Sequence, residues 1–391
     1  MRVLWLAVVV TGVWLWSDSW GGGVGDAGAA PKAPPSADGA ALDRVLASPP
    51  AAAQAAPLST DAATAAAAAT AAVDDLLPGL GQRQPTAIAA GWALLTRLNG
   101  GERERLLAAL APAGDGIDRQ MAALGADNSF LHSAEGRGLA AQAAATIAAL
   151  GDAEAVPAGS RLLALMTKGR IRKDDQAPRA FVDDIYKQHR VRVDRWLCDP
   201  GNVAGARSYT VQSGDSLARI AKRFRKEGLF VEDGTLAILN RIHNPNTIRE
   251  GQKIKVPVAP ITTVVEKRSF TMAVWLGDDL LRLYWVGHGE NDRTPVAEFT
   301  VGVKQPKPDW TSPDGRVYAY GHPENILGEY FVKFLNDTYV GFGAHGTPRP
   351  ETIGTMSSMG CIRMYAPDIA EVFRLVPTGT KVSVLATESL R

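Results

Sequence analysis

The chain has 391 residues, which at about 150 per domain amounts to two or three domains. Hydrophobic residues make up 46% and charged residues 21%, values that exclude both a fully disordered chain and a polytopic membrane protein. Lys and Arg (42) nearly cancel Asp and Glu (41), leaving +1, so there is no electrostatic case for nucleic-acid binding, and two cysteines are too few for a disulfide scaffold or a Cys-rich zinc site.

Arg2 precedes an uncharged run from Val3 to Trp16. A membrane span needs roughly 20 apolar residues, so the run reads as a secretory h-region. Ala27-Gly28-Ala29 offers a small-x-small cleavage site, which puts a signal peptide at residues 1–29. Trp14, Leu15, Trp16 and Trp20 leave an uncleaved membrane anchor as the alternative. Export to the periplasm or cell envelope is the expectation.

Residues 30–72 are low-complexity Ala, Pro, Gly and Ser, with Pro31, Pro34, Pro35, Pro49, Pro50 and Pro57 breaking any continuous helix. They read as a flexible tether in which Ala62 to Ala72 could be transiently helical, though it has no apolar face to bury. Residues 73–197 show helical spacing, as at Ile88, Trp92, Leu95 and Leu98, then Ile117, Met121 and Leu124. Four or five short helices follow, with no motif that carries chemistry, and their role stays unknown.

Residues 208–258 form a compact unit. Tyr209-Thr210-Val211 predicts a strand, Leu217 to Phe224 a helix, Leu236 to Arg241 a second helix and Gln252 to Val256 a closing strand, a βααβ arrangement. Residues 262–387 are mostly β. Ser269 to Leu276 and Leu280 to Val286 flank a Gly277-Asp278-Asp279 hairpin, and Phe299 to Val303, Arg316 to Tyr320, Tyr330 to Phe334 and Tyr339 to Phe342 continue the strands. One helix, Pro367 to Leu375, precedes a last strand at Lys381 to Leu385. A mainly antiparallel β domain with one short helix fits.

Chemistry is concentrated in HGTPRPETIGTMSSMGCIRM, which runs from His345 to Met364. A thiol with an ordinary pKa of roughly 8.5 needs a base or a positive neighbour to act as a nucleophile, and an imidazole supplies both. His345 follows a predicted strand and Cys361 precedes strand-like Ile362, so two strand ends meeting at one sheet edge would join them. Gly360 lets a peptide backbone approach the sulfur and leaves local N–H groups, including that of Cys361, free to face an oxyanion. The segment holds no further Cys or His to complete a metal tetrahedron.

These residues resemble the L,D-transpeptidase (YkuD-type) family. His345-Gly346 and Ser358-Met359-Gly360-Cys361-Ile362-Arg363 match its signature, Thr294-Pro295 with Phe299 resembles its TPxGxF element, and Gly328 resembles the glycine before its histidine strand. Met359 stands where the family often has histidine, and Ala297 replaces the TPxGxF glycine. The resemblance implies that Cys361 is acylated, that His345 is its base, and that the Gly346 carbonyl orients the imidazole. No metal or organic cofactor is implied. Arg363 either holds a stem-peptide carboxylate or ties its strand to a neighbouring carbonyl or acid. Ser358 either positions substrate or caps the turn, the former being favoured. Cys198 and Cys361 are expected to be free.

The unit at 208–258 resembles a LysM domain, through Tyr209-Thr210-Val211, Ser213 to Leu217, Asn240, Asn244-Pro245, Ile248, Gly251-Gln252 and Pro257. The resemblance implies binding of GlcNAc-containing glycan between two loops, one with Gly214, Asp215, Ser216 and Leu217, the other with Asn244, Pro245 and Ile248. Gly214 to Leu217 also spells a short GDSL esterase pattern, discounted because no Asp-x-x-His follows. The basic run Arg219, Lys222, Arg223, Arg225 and Lys226 reads as a solvated helix face. Together the resemblances imply a cell-wall enzyme, acting in peptidoglycan synthesis and cell shape, that links tetrapeptide stems 3→3. The alternatives are an L,D-carboxypeptidase using water, or a wall-binding protein with a vestigial catalytic domain.

Overall fold

A computed structural model describes residues 62–82, 117–125 and 128–386, with scattered positions between 83 and 116. The expected signal peptide or anchor and most of the expected tether lie outside the described residues. No helix among the described residues is long and apolar enough to cross a membrane.

The helices with described bounds that come first are α1 (Ala62–Gly81), α2 (Ile117–Gly125), α3 (Ala134–Ala148), α4 (Asp152–Lys168) and α5 (Gln176–Arg192). Helix α1 begins inside the segment expected to be a tether. Alanine is the strongest helix former, and Val73, Leu76, Leu77 and Leu80 supply the apolar face that the alanines lack. The expected role-free helical region therefore starts earlier than residue 73. Helices α2 to α5 bury Met121, Leu124, Leu162, Leu163, Met166 and Val182 in one core.

The βααβ unit is present as β1 (Ala206–Thr210), α6 (Leu217–Lys226), α7 (Asp233–Leu239) and β2 (Lys253–Pro257), with β1 and β2 antiparallel. Its core is Val211, Leu217, Ile220, Phe224, Leu236, Ile254 and Val256. Ser216 caps α6 by accepting the Arg219 N–H.

The remaining strands are β3 (Ile261–Glu266), β4 (Thr271–Leu276), β5 (Asp279–Gly289), β6 (Ala297–Pro306), β7 (Trp310–Thr311), β8 (Val317–Tyr318), β9 (Tyr330–Leu335), β10 (Gly343–Gly346), β11 (Met356–Ser358), β12 (Ile362–Met364) and β13 (Lys381–Leu385), with helix α8 (Ala366–Leu375) before the last. Nine of them form one sheet in the order β11-β5-β12-β10-β9-β6-β13-β3-β4, and β4 also pairs with β5, so the sheet closes on itself. Most pairings are antiparallel, but β10–β12, β11–β5 and β13–β3 are parallel. One correction concerns Tyr339 to Phe342, expected as a strand. Asn336 accepts the N–H groups of Thr338 and Tyr339 in a turn, Gly341 has φ +84°, and pairing starts only at Gly343.

One face of the sheet encloses Tyr284, Val286, Phe299, Val301, Val332, Phe334, Ala344, Ile362, Met364 and Val382, sealed by Ile369, Val372 and Leu375 of α8. The helical region packs on the other face through Ala273, Leu280 and Leu283. Ser160 accepts the Leu280 N–H at 2.8 Å and His189 Nε2 donates to the Leu280 carbonyl at 2.9 Å. Buried Arg282 pairs with Glu371 at 2.8 Å and Asp194 at 2.9 Å. The βααβ unit docks by α7 against α8: Thr235 donates to the Leu375 carbonyl at 3.0 Å, Glu232 pairs with Lys304, and Lys255 donates to the Asp199 carbonyl at 2.8 Å.

Candidate active site

Strands β10 and β12 lie side by side and parallel, with Ala344 opposite Ile362, His345 opposite Arg363 and Gly346 opposite Met364. Side chains alternate faces along a strand. Ala344, Ile362 and Met364 therefore enter the core, while His345, Arg363 and Cys361 (two positions before Arg363) share the opposite face. They meet inside the sheet and not at its edge, the position expected from the sequence. A parallel pair brings His345 and Cys361 together because the chain between the two strands, residues 347–361, returns over this face of the sheet, where a Cβ on Gly287 would lie 2.6 Å from the Thr352 carbonyl oxygen.

The cysteine sits at the end of a turn held from three sides. Ser358, almost wholly buried, donates to the Cys361 carbonyl at 2.6 Å and accepts the Gly360 N–H at 3.1 Å. Its hydroxyl is thus engaged within the turn, although the sequence favoured a substrate contact. Thr294 donates to the Gly360 carbonyl at 2.6 Å and accepts the Gly289 N–H at 2.8 Å. Buried Lys267 donates to the Thr294 carbonyl and pairs with Asp292 at 2.5 Å. Gly360 itself has φ +139°, and a Cβ there would lie 2.7 Å from Cε1 of Phe342. Both the backbone conformation and the ring demand glycine.

His345 is 1% exposed, with ring Nδ1 2.5 Å from the Gly346 carbonyl oxygen. A carbonyl only accepts, so Nδ1 carries the proton and Nε2 keeps its lone pair. Burial lowers the imidazole pKa to about 4, the Gly346 bond opposes the shift, and the Arg363 charge adds to it. The Cys361 thiol is half-buried and donates to the Gly341 carbonyl at 3.6 Å. Burial pushes its pKa up to about 11, against a backbone N–H of Gly343 and the Arg363 charge. The pair is therefore neutral at rest near pH 7. Arg363 is 8% exposed; its Nη1 donates to Ser357 Oγ at 3.1 Å, and it has no carboxylate partner among the described residues. Buried Cys198 and half-buried Cys361 are both free of any disulfide.

In the βααβ unit, Gly214, Asn244 and Pro245 are exposed, whereas Leu217 is in the core and Ile248 packs against it. Asp215 accepts from the Tyr209 hydroxyl at 2.6 Å and the Gln212 N–H at 2.9 Å, and Asn244 accepts the Asn246 N–H at 3.0 Å. The sequence marked Thr294 only as part of a motif and Phe342 only as the end of an expected strand, and gave no sign of Lys267. The Thr-Pro pair was the available sign for the first; nothing local ties the other two to the site.

A closed, mostly antiparallel sheet thus carries a His on one strand and a Cys at the start of the neighbouring one, and is joined to a βααβ module. The profile of the L,D-transpeptidase catalytic domain matches residues 260–384, and that of the LysM domain matches residues 209–257. The chain is 35% identical over 124 residues to YqjB of Bacillus subtilis, covering 31% of this chain and 69% of that protein. It is 30% identical over 189 residues to YkuD of Bacillus licheniformis, covering 45% of this chain and 97% of that protein. Both carry L,D-transpeptidase names. An L,D-transpeptidase from Mycobacterium smegmatis is similar at 21% identity and TM-score 0.28, covering 35% of this chain and 64% of that one. The chain belongs to the L,D-transpeptidase family and carries a LysM domain.

Proposed function

We propose that this chain is an exported peptidoglycan L,D-transpeptidase with Cys361 as nucleophile, His345 as base and the Gly346 carbonyl as the group that orients the base. The working borders are 1–29 for the leader or anchor, 30–72 for a tether shortened by α1, 73–197 for the helical region, 208–258 for LysM and 262–387 for the catalytic domain. Sγ of Cys361 attacks the carbonyl of the third residue of a tetrapeptide stem, at its L-centre, while the thiol proton passes to Nε2 of His345. The C–N bond to the terminal D-alanine then breaks, and the imidazolium protonates the departing amine. An amine on a neighbouring stem attacks the thioester, yields its proton to His345 and displaces the thiolate, which is reprotonated. The product is a 3→3 amide. The Cys361 N–H faces the developing oxyanion, and Arg363 holds a stem carboxylate.

The observation that carries this reading is the parallel pairing of β10 with β12, which sets His345, Cys361 and Arg363 on one face. His345 is unprotonated at rest, as a general base must be, while its lowered pKa and the raised thiol pKa both oppose the transfer, so the proton moves only as Sγ attacks. On the LysM unit the loops 214–217 and 244–248 hold GlcNAc-containing glycan, which raises the local concentration of stems.

Intact mass after exposure to a carbapenem, with the adduct mapped, tests the nucleophile. One adduct on Cys361, absent in Cys361→Ala and slowed about 10²–10⁴-fold in His345→Ala, is the expected result. An adduct elsewhere, or none, overturns the assignment. Incubation with disaccharide-tetrapeptide tests the acceptor: cross-linked dimer is expected, and tripeptide without dimer would instead make the enzyme an L,D-carboxypeptidase.

A further inference from the structure

The helical region stands on the catalytic face. Gly287 lies opposite Arg363 across the β5–β12 pair, so alternation puts Trp285, two residues earlier on β5, on the same face as Arg363, His345 and Cys361. The start of α5 covers that tryptophan: the Arg179 guanidinium carbon is 3.9 Å from the Trp285 ring centroid, and the indole N–H donates to Asp183 at 2.6 Å. The segment between His345 and Cys361 runs beneath the same helix. Lys173 Nζ donates to the Glu351 carbonyl at 2.6 Å, and Arg179 Nη1 sits so close to Gly354 that a Cβ there would be 2.8 Å from it. On the sheet side the segment is pinned by Gly354 N–H to Val286 at 2.9 Å and His288 N–H to Thr355 at 3.1 Å. It is clamped between two layers.

Two further facts mark the clamp. Arg179 Nη1 is buried with no hydrogen-bond acceptor among the described residues, and an unpaired buried donor of this kind costs roughly 1–3 kcal/mol. Such groups in native proteins call for a reason beyond packing. The clamped segment also carries Arg349 and Glu351, whose charges act on Arg363, so its course sets the charges around the reacting pair.

We propose that Lys173 and Arg179 are positioning residues: through them the helical region holds residues 347–356, and with them the geometry of His345, Cys361 and Arg363. The proposal rests on the reading of Cys361 as nucleophile. It assigns the helical region a part in the reaction without giving it a contact with substrate.

The test uses full-length protein and the second-order rate of acylation by a carbapenem. Arg179→Ala and Lys173→Met are each expected to slow acylation about tenfold, short of the roughly hundredfold loss that a 1 Å displacement of a reacting group brings. Arg179→Lys, which keeps a cation over Trp285, is expected to recover most of the loss. Ile220→Ala, a cavity in the LysM core chosen for a comparable fall in Tm, should acylate at the wild-type rate. A wild-type rate in Arg179→Ala or Lys173→Met, or an equal deficit in Ile220→Ala, overturns the proposal. If Arg179→Ala does not fold, Lys173→Met alone decides, because that side chain is exposed and makes one hydrogen bond. Failure of the wild-type protein to acylate at Cys361 would instead overturn the reading of the nucleophile.

Discussion

Replacing Gly360 by alanine probes the turn that presents the cysteine. At φ +139° an L-residue is strained, at a cost of about 1–3 kcal/mol. The added methyl would also meet Cε1 of Phe342 at 2.7 Å, and that ring is itself packed, with its centroid 6.1 Å from Phe299 and 6.4 Å from Tyr339. Overpacking of this kind costs about 1–3 kcal/mol. Together Gly360→Ala should lose about 2–6 kcal/mol, a large share of the roughly 5–15 kcal/mol typical of a folded domain. Urea unfolding followed by tryptophan fluorescence measures the loss, and alkylation of Cys361 by iodoacetamide reports the turn itself. Phe342→Ala separates the two contributions, because a double-mutant cycle should return the steric share as a coupling of about 1–3 kcal/mol and leave the backbone share untouched. A Gly360→Ala protein that loses less than about 0.5 kcal/mol, or a coupling near zero, would refute the reasoning.

Three other outcomes follow from the same geometry. Burial holds His345 and His189 at about 4 in the folded protein, below their ordinary 6.5. The unfolded chain therefore takes up protons first as pH falls. Each contributes stability that is fully present above about 6.5 and lost toward 4, by at most about 3 kcal/mol. Urea midpoints measured across that window should fall for the wild type and fall less for His345→Gln; parallel curves would contradict the account. Arg282→Met removes a buried partner from Glu371 and from Asp194 but leaves Glu371 the Arg190 guanidinium at 2.9 Å and the Tyr284 hydroxyl at 3.0 Å, so urea unfolding should show a loss of about 1–3 kcal/mol, short of the roughly 3–5 kcal/mol of a fully stranded buried charge. Gly234→Ala would put a Cβ 2.3 Å from the Arg374 carbonyl oxygen. Hydrogen exchange should accelerate in α7 and spread through the LysM unit, while unchanged protection there would show that α7 and α8 can yield without parting.

Local pattern was enough to identify the two modules, because their cues are short-range: Tyr209-Thr210-Val211 and Asn244-Pro245 in the βααβ unit, the Gly277-Asp278-Asp279 hairpin, and the Gly360-Cys361 and His345-Gly346 pairs. The strand at Gly343–Gly346 was misplaced toward Tyr339 because aromatic and β-branched residues outweigh glycines in any propensity reading. It is a strand because Phe331, Val332 and Lys333 pair with it, a long-range fact. The parallel partnership of His345 with Arg363 was hidden for the same reason. So was the helix at Ala62–Gly81, whose alanines have no amphipathic pattern and fold onto leucines farther along. Lys267 and Phe342 acquire their importance only from what the turn at Gly360 places against them.

The union of α7 with α8 alters what can be cut away. The border that sequence comparison draws between the LysM domain and the catalytic domain, near residues 257–260, is not a seam. Leu239 belongs to the same apolar interior as Val372 and Leu375, and Lys304 relies on Glu232 for its only carboxylate among the described residues. Excising residues 208–258 would open that interior to water and leave the Lys304 ammonium only the Phe373 and Val376 carbonyls, at 2.7 and 3.0 Å. The excised remainder would be a wounded protein, and its weak activity would say little about what the LysM domain contributes.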